Sequence, residues 1–150
     1  MAEIEITIQR EDVFDEVEKA TDYTGSKMVD SDQGARARIL AVGSDLATLD
    51  RFWVDGAHGV NERLKNMVVS STVDIEKYTA RLDVSVSFDT VLKPSVEKSI
   101  RSFFIDFIIG EWFKFTNKGE SEGYFATAEE YLTNAERLLY SRKKPKRPVD

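Results

Sequence analysis

The sequence predicts an α+β fold that is mainly α: a helical bundle of about four helices with a small antiparallel β-sheet or hairpin. Three observations predict it. Residues 3–9 and 78–88 alternate apolar and polar side chains with the period of two that half-buries a strand. Residues 10–23, 45–67, 94–115 and 127–139 repeat their apolar side chains at the spacing of a helix stripe. The composition supplies a core for both, since 41% of the 150 residues are apolar, with nine Phe, five Tyr and two Trp among them. A chain of this length buries roughly two thirds of its unfolded surface without disulfides or metals. Residues 1–141 are read as a single globular domain and residues 142–150 as a basic C-terminal tail.

The elements follow in chain order. In residues 3–9, Ile4, Ile6 and Ile8 alternate with Glu5, Thr7 and Gln9. The next segment moves its apolar side chains to Val13, Phe14, Val17 and Ala20. It gathers acids in its first turn, where they face the positive end of the helix dipole. Thr24-Gly25-Ser26 and Asp30-Ser31-Asp32-Gln33-Gly34 read as loop, and residues 36–42 fit a short strand or a helix. After Gly43, Ser44 or Asp45 is placed to cap a helix of about six turns, whose stripe is Leu46, Leu49, Phe52, Trp53, Ala57, Val60, Leu64 and Met67. Gly56 and Gly59 interrupt that stripe at a cost of about 1 kcal/mol each relative to Ala. They imply either a kink or another backbone packed against them, and close packing is the preferred reading.

In residues 78–88 one face carries Tyr78, Ala80, Leu82, Val84, Val86 and Phe88, and the other Thr79, Arg81, Asp83, Ser85 and Ser87. Pairing with residues 3–9 gives both strands a neighbour. Pro94 suits the first turn of a helix whose stripe is Val96, Ile100, Phe103, Phe104, Phe107, Ile108, Trp112 and Phe113. With Phe115 added it is the densest apolar segment, and so the central helix. Thr116-Asn117-Lys118-Gly119 closes it, with Gly where a helix C-terminus wants one. The last helix opens near Thr127, where Glu130 completes a capping-box pattern. It continues through Ala128, Tyr131, Leu132, Ala135, Leu138 and Leu139.

Chemistry is sparse. Cysteine is absent, which removes disulfides, thiolate nucleophiles, Fe–S clusters and thiolate zinc sites, and fits a reducing compartment. His58 is the single histidine; without a plausible partner it reads as a surface or packed residue rather than a base or ligand. Asp12 with Asp15 and Glu16, and Glu129 with Glu130, fall on polar helix faces and read as solvated. The segment from Asp30 starts like a calcium loop, but Ala41 stands at the twelfth position, where the bidentate Glu belongs. Gly25-Ser26-Lys27 lacks the spacing of a phosphate loop. The aromatic run 103–115 has a helical period and few basic residues, so it reads as core rather than as a stacking platform for bases. The chain is therefore expected to be no enzyme, with no catalytic residue, no metal site and no cofactor. No apolar run approaches the roughly 18 to 20 residues of a membrane span, and the acidic, alternating N-terminus is unlike a signal peptide. Neither a membrane partner nor export by that route is expected.

Charge is unevenly placed. Arg142, Lys143, Lys144, Lys146 and Arg147 put five of the 21 basic residues in six positions. Residues 1–141 then hold 16 basic and 26 acidic side chains, a body of −10 within a chain of −6. Such a body repels a phosphate backbone and leaves only the tail for nucleic acid. These five residues are the candidate partner-binding set, and three readings of them stay open: a solvated C-terminus, a contact for an acidic protein, or a phosphate contact.

Residues 109–118, Ile-Gly-Glu-Trp-Phe-Lys-Phe-Thr-Asn-Lys, are followed by a helix ending Ala135-Glu136-Arg137-Leu138-Leu139-Tyr140-Ser141-Arg142-Lys143-Lys144-Pro145. Together with Leu49-Asp50-Arg51-Phe52-Trp53 and the strand at 78–86 before a long helix, this pattern resembles a family of small uncharacterised proteins of tailed phages and prophages of Bacteroidetes. The similarity covers residues from about 45 to 147, and its motifs are structural. Asp55-Gly56-Ala57-His58-Gly59 departs from it, being less helix-favouring than the resemblance implies. The resemblance implies a virion structural protein of the head–tail neck or tail, a connector, adaptor or completion protein. Its partners would be itself, as a homo-oligomeric ring, and other virion proteins. Its place would be the virion, and the host cytoplasm before assembly. An acidic body suits the lining of a DNA channel that must not grip its DNA. The alternative is a DNA-associated or regulatory module that uses the basic tail.

Overall fold

The computed structural model describes residues 2–27, 34–35, 40–41 and 45–143. Among them the architecture is α+β and mainly α, four helices against one face of a three-stranded antiparallel sheet. In chain order these are β1 (Ala2–Gln9), α1 (Arg10–Lys27), α2 (Leu46–Arg63), β2 (Val68–Val73), β3 (Lys77–Val84), α3 (Lys93–Thr116) and α4 (Lys118–Leu139), with a 3-10 turn at Thr90–Leu92.

The strands pair as the alternation predicts. β3 is central, with β1 antiparallel on one side and β2 on the other. Register sets Ile4 opposite Leu82, Ile6 opposite Ala80 and Ile8 opposite Tyr78, so these apolar side chains share the face that meets the helices. Glu3, Glu5, Arg81 and Lys77 are exposed on the other face. A row of threonines, Thr7, Thr79 and Thr72, crosses that outer face. One residue's slip would exchange the two faces, which is why burial of one side fixes the register.

α3 is the central helix. It buries Val96, Ile100, Phe103, Phe104, Ile108, Ile109, Trp112 and Phe113, and touches α1, α2, α4 and β1. α4 returns antiparallel along it after a single non-helical residue, Asn117, so that Phe107 and Phe113 of α3 meet Phe125 and Tyr124 of α4. α1 offers Val13, Val17, Thr21 and Gly25 at four-residue intervals. The Thr21 hydroxyl is satisfied within the core: it donates to the Val17 carbonyl and accepts from the Ala41 amide.

α2 continues without a break through Gly56 and Gly59. The close neighbour expected there is a side chain rather than a backbone. A Cβ at Gly56 would lie 2.9 Å from Cδ1 and 3.1 Å from Cε1 of Phe104. That ring is fully buried and wedged against Trp53 and Tyr78, at centroid distances of 4.5 and 5.5 Å.

Several boundaries differ from the sequence reading, each for a local reason. Thr24-Gly25-Ser26 is helix, not loop, because Gly25 is buried in α1 against its neighbours. α2 ends at Arg63, and Leu64 to Met67 form the turn into β2, a strand the sequence reading lacks. β3 stops at Val84 rather than running to residue 88. The Ser85 hydroxyl accepts the Ser87 amide and the Ser85 carbonyl accepts the Phe88 amide, a turn that leaves Val86 75% exposed. The break after α3 is Asn117 alone, and Gly119 lies in the first turn of α4. Thr127 is no cap: it lies in mid-helix and its hydroxyl donates to the Gly123 carbonyl. Phe115, counted with the core, is exposed. The loop reading of residues 30–33, most of the open segment 36–42, and the cap candidate Ser44 lie outside the described residues.

The two helix glycines respond in opposite directions to the same change. Gly56→Ala gains about 1 kcal/mol of helix propensity but forces a methyl into an immobile ring, an overpacking cost of about 1–3 kcal/mol. It lowers the midpoint of thermal unfolding. Gly59→Ala meets only Phe103 Cζ at 3.5 Å, ordinary contact, so the propensity gain stands and the midpoint rises.

Candidate functional site

α4 closes on Tyr140, and two residues later the chain is tied to the segment between β3 and α3. Arg142 forms an antiparallel bridge with Phe88, and the Lys143 amide donates to the Ser87 carbonyl at 2.8 Å. Phe88 is buried, so an apolar peg fixes the point from which the basic tail departs. The side chains of Arg142 and Lys143 are exposed there; Lys144, Lys146 and Arg147 lie outside the described residues.

A cavity of about 360 Å³ adjoins this root, walled by Met67, Asp83, Val84, Leu139 and Arg142 and rimmed by Val86 and Tyr140. Tyr140 is 60% exposed and Val86 75%. Asp83 Oδ1 is a buried oxygen that accepts no hydrogen bond from a described residue. The arrangement offers an apolar seat beside two cations. It suits an apolar side chain flanked by acids, as found on a protein partner.

The other residues singled out in the sequence do not converge. His58 is exposed on α2. Asp12, Asp15 and Glu16 are exposed on α1, with Glu16 beside Lys19 at 3.4 Å. Glu129 on α4 pairs with Arg63 on α2, while Glu130 is exposed. Of Asp30-Ser31-Asp32-Gln33-Gly34, only Gly34 is described. Among the described residues no group of three or more His, Asp or Glu side chains could hold a metal ion, and no helix is long and apolar enough to cross a membrane.

A groove of about 580 Å³ runs between α2 and α4 over α3. Its floor is Gly59, Phe103, Phe107, Phe125 and Leu132. The Arg63–Glu129 pair crosses it, and Arg63 also donates to the Thr133 hydroxyl at 3.2 Å. Its lining carries packing residues and one satisfied ion pair, which is a structural seam between helices.

One titratable group was not legible in the sequence. Asp106 sits half-buried on α3, and burial pushes its carboxyl from the ordinary 3.8 up to about 6. Tyr124 on α4 is its electrostatic neighbour. Burial raises the Tyr124 phenol, a hydrogen bond with the Thr24 side chain lowers it, and the charges of Asp106 and Glu120 raise it further. The carboxyl is thus held on a seam between α3 and α4 by packing that favours its neutral form.

The sign of its effect on stability follows by linkage. A carboxyl raised on folding binds a proton more tightly in the native state, so its penalty is absent below the unfolded value and complete above about 6. Asp106→Asn keeps the shape and removes the charge. The variant unfolds at a higher temperature than the parent at neutral pH. The difference between the two shrinks as pH is lowered from about 6 to about 4, and thermal unfolding across that series reads it directly. No family model, curated protein or solved structure matches this chain, so its geometry and sequence carry the functional reading.

Proposed function

We propose that this chain is a structural protein of the head–tail neck of a tailed-phage virion, a connector, adaptor or completion protein that acts through protein–protein contacts in a ring. The observation that carries it is the tail root. Arg142 and Lys143 are anchored on Phe88 and Ser87 beside the exposed Val86 and Tyr140, an apolar and cationic surface suited to a protein partner. The resemblance over residues 45–147 supports the virion assignment. The acidic body, −10 over residues 1–141, supports a place near DNA without a grip on it. The patterned residues serve packing, which supports a role without catalysis, cofactor or metal. The virion, and the host cytoplasm before assembly, are the corresponding locations.

The test is direct binding to the purified portal and tail proteins encoded beside it. The parent chain binds one of them. Replacing Val86→Asp with Tyr140→Ser weakens binding at least tenfold while leaving the thermal midpoint within a few degrees, because both side chains are already in solvent. Binding instead to duplex DNA, falling steeply with salt and lost when residues 142–150 are deleted, would replace this reading with the DNA-associated module.

A further inference from the structure

The two edges of the sheet are not alike. β1 is guarded: Glu3 and Glu5 project from it, and the Thr7 amide, which points away from β3, donates to Glu97 Oε2 of α3 at 2.9 Å. Charge and a covering helix are the usual means of keeping an edge from pairing. β2, at the other edge, has neither. Residues 66–73, Asn-Met-Val-Val-Ser-Ser-Thr-Val, carry no charge in a chain that is 32% charged, and four of them, Val68, Val69, Thr72 and Val73, are β-branched strand formers.

The hydrogen-bond parity of the sheet says which groups β2 leaves open. Thr7 turns its amide outward, so Thr7 and Thr79 form a non-hydrogen-bonded pair, and Thr79 turns its own amide and carbonyl to β2. The Arg10 amide on the Glu76 carbonyl and the Asp74 amide on the Lys77 carbonyl obey the same parity. Thr72, opposite Thr79, therefore faces inward, and its neighbours Ser71 and Val73 present their amides and carbonyls outward. Among the described residues nothing bonds to those outward groups.

We infer that β2 is a self-pairing edge: two copies of this chain join their β2 strands antiparallel about a two-fold axis through Thr72, making a continuous six-stranded sheet. The register follows from the parity. With the axis at Thr72, Ser71 of one copy faces Val73 of the other, and their outward groups bond to each other. The two Thr72 residues meet as a non-hydrogen-bonded pair. At the two ends of this stretch lie Val69, 52% exposed, and Ile75, 71% exposed, so the pairing draws solvated apolar side chains of the two copies toward each other. The guarded β1 edge leaves no complementary strand for a head-to-tail continuation, so the contact is isologous and closed. The pairing belongs to the edge and does not depend on the neck reading; a ring built from such pairs would be double-decked, with dihedral symmetry.

The native sequence has no cysteine, so a single one reports position without ambiguity. A non-hydrogen-bonded antiparallel pair has its Cα atoms about 4.5 Å apart, within reach of a disulfide. Under mild oxidation of the full chain, Thr72→Cys gives a disulfide-linked dimer much faster than Ser95→Cys, exposed on α3. By sedimentation, Thr72→Lys and Thr72→Glu each weaken self-association by about tenfold, and mixing them in equal amounts restores it as a heterodimer. Either a parent chain that sediments as a monomer at high concentration, or a dimer indifferent to charge at Thr72, or equal cross-linking at both cysteine positions, overturns the inference.

Discussion

The Phe104 ring has Gly56 of α2 against one edge, Trp53 of α2 with its centroid at 4.5 Å, Tyr78 of β3 at 5.5 Å and Phe103 of its own helix at 5.8 Å. It therefore sets how closely α3 approaches α2 and how far both stand from the sheet. The absence of a Cβ at Gly56 is what lets the ring in. Ring pairs of this kind add about 0.5–1.5 kcal/mol each beyond the area they bury, and their geometry matters more than their sum because it admits few alternatives. Two of the partners also carry a polar handle that finds its bond. The Trp53 indole donates to the Asp74 carbonyl at 3.0 Å, and the Tyr78 hydroxyl donates to Asn61 Oδ1 at 2.6 Å. The first ties α2 to the hairpin turn between β2 and β3. The second ties β3 back to α2. The turn itself is held from within: the Asp74 carboxylate accepts the Lys77 and Glu76 amides, which keeps its pKa below the usual carboxylate range.

How much of this could be read beforehand depended on whether one residue's neighbours were local. The alternation in β1 and β3 and the stripes of α2 and α3 were legible because each element buries one face, and burial writes a period into the chain. The glycines in α2 were legible as close packing, though not as contact with a ring 48 residues away in sequence. β2 was not legible. Val-Val-Ser-Ser-Thr-Val has no clean alternation, partly because a register shift between Val68 and Ser70 inserts a bulge, and it becomes a strand only with β3 as template. The first two turns of α4 were hidden for a related reason. Lys118-Gly119-Glu120-Ser121-Glu122-Gly123 has two glycines and no apolar stripe, so isolated propensity argues against a helix. Packing of Tyr124 and Phe125 on Phe113 and Phe107 overrides it. The continuation of β3 to residue 88 failed the other way: the pattern persists in sequence, but the Ser85 turn ends the strand.

The candidate surface divides along the same line. That residues 142–147 are basic is plain from composition, and so is their contrast with the acidic body. Their attachment point is not, because it depends on Phe88 and Ser87, more than fifty residues upstream. Val86 and Tyr140 would be placed in a core stripe or a last helical turn by their spacing. It is the turn at Ser85 and the end of α4 that expose them together beside Arg142.

The way charge is spent on this surface distinguishes its parts. Long-range ion pairs join separate elements: Arg10 to Asp50 between α1 and α2, Arg63 to Glu129 between α2 and α4, Glu3 to Arg81 between β1 and β3. Exposed pairs of this sort add at most about 1 kcal/mol each, so their value is less in stability than in selecting one arrangement over others. β1 takes part in that network and β2 does not. Both are edge strands of one sheet, under the same demand to avoid stray pairing, and only one is protected. A sheet with two open edges can grow without limit, whereas a sheet with one open edge can only close on a single partner strand. Leaving β2 uncharged while guarding β1 thus restricts the sheet to finite assembly, and it does so by the placement of a few side chains rather than by any change in fold.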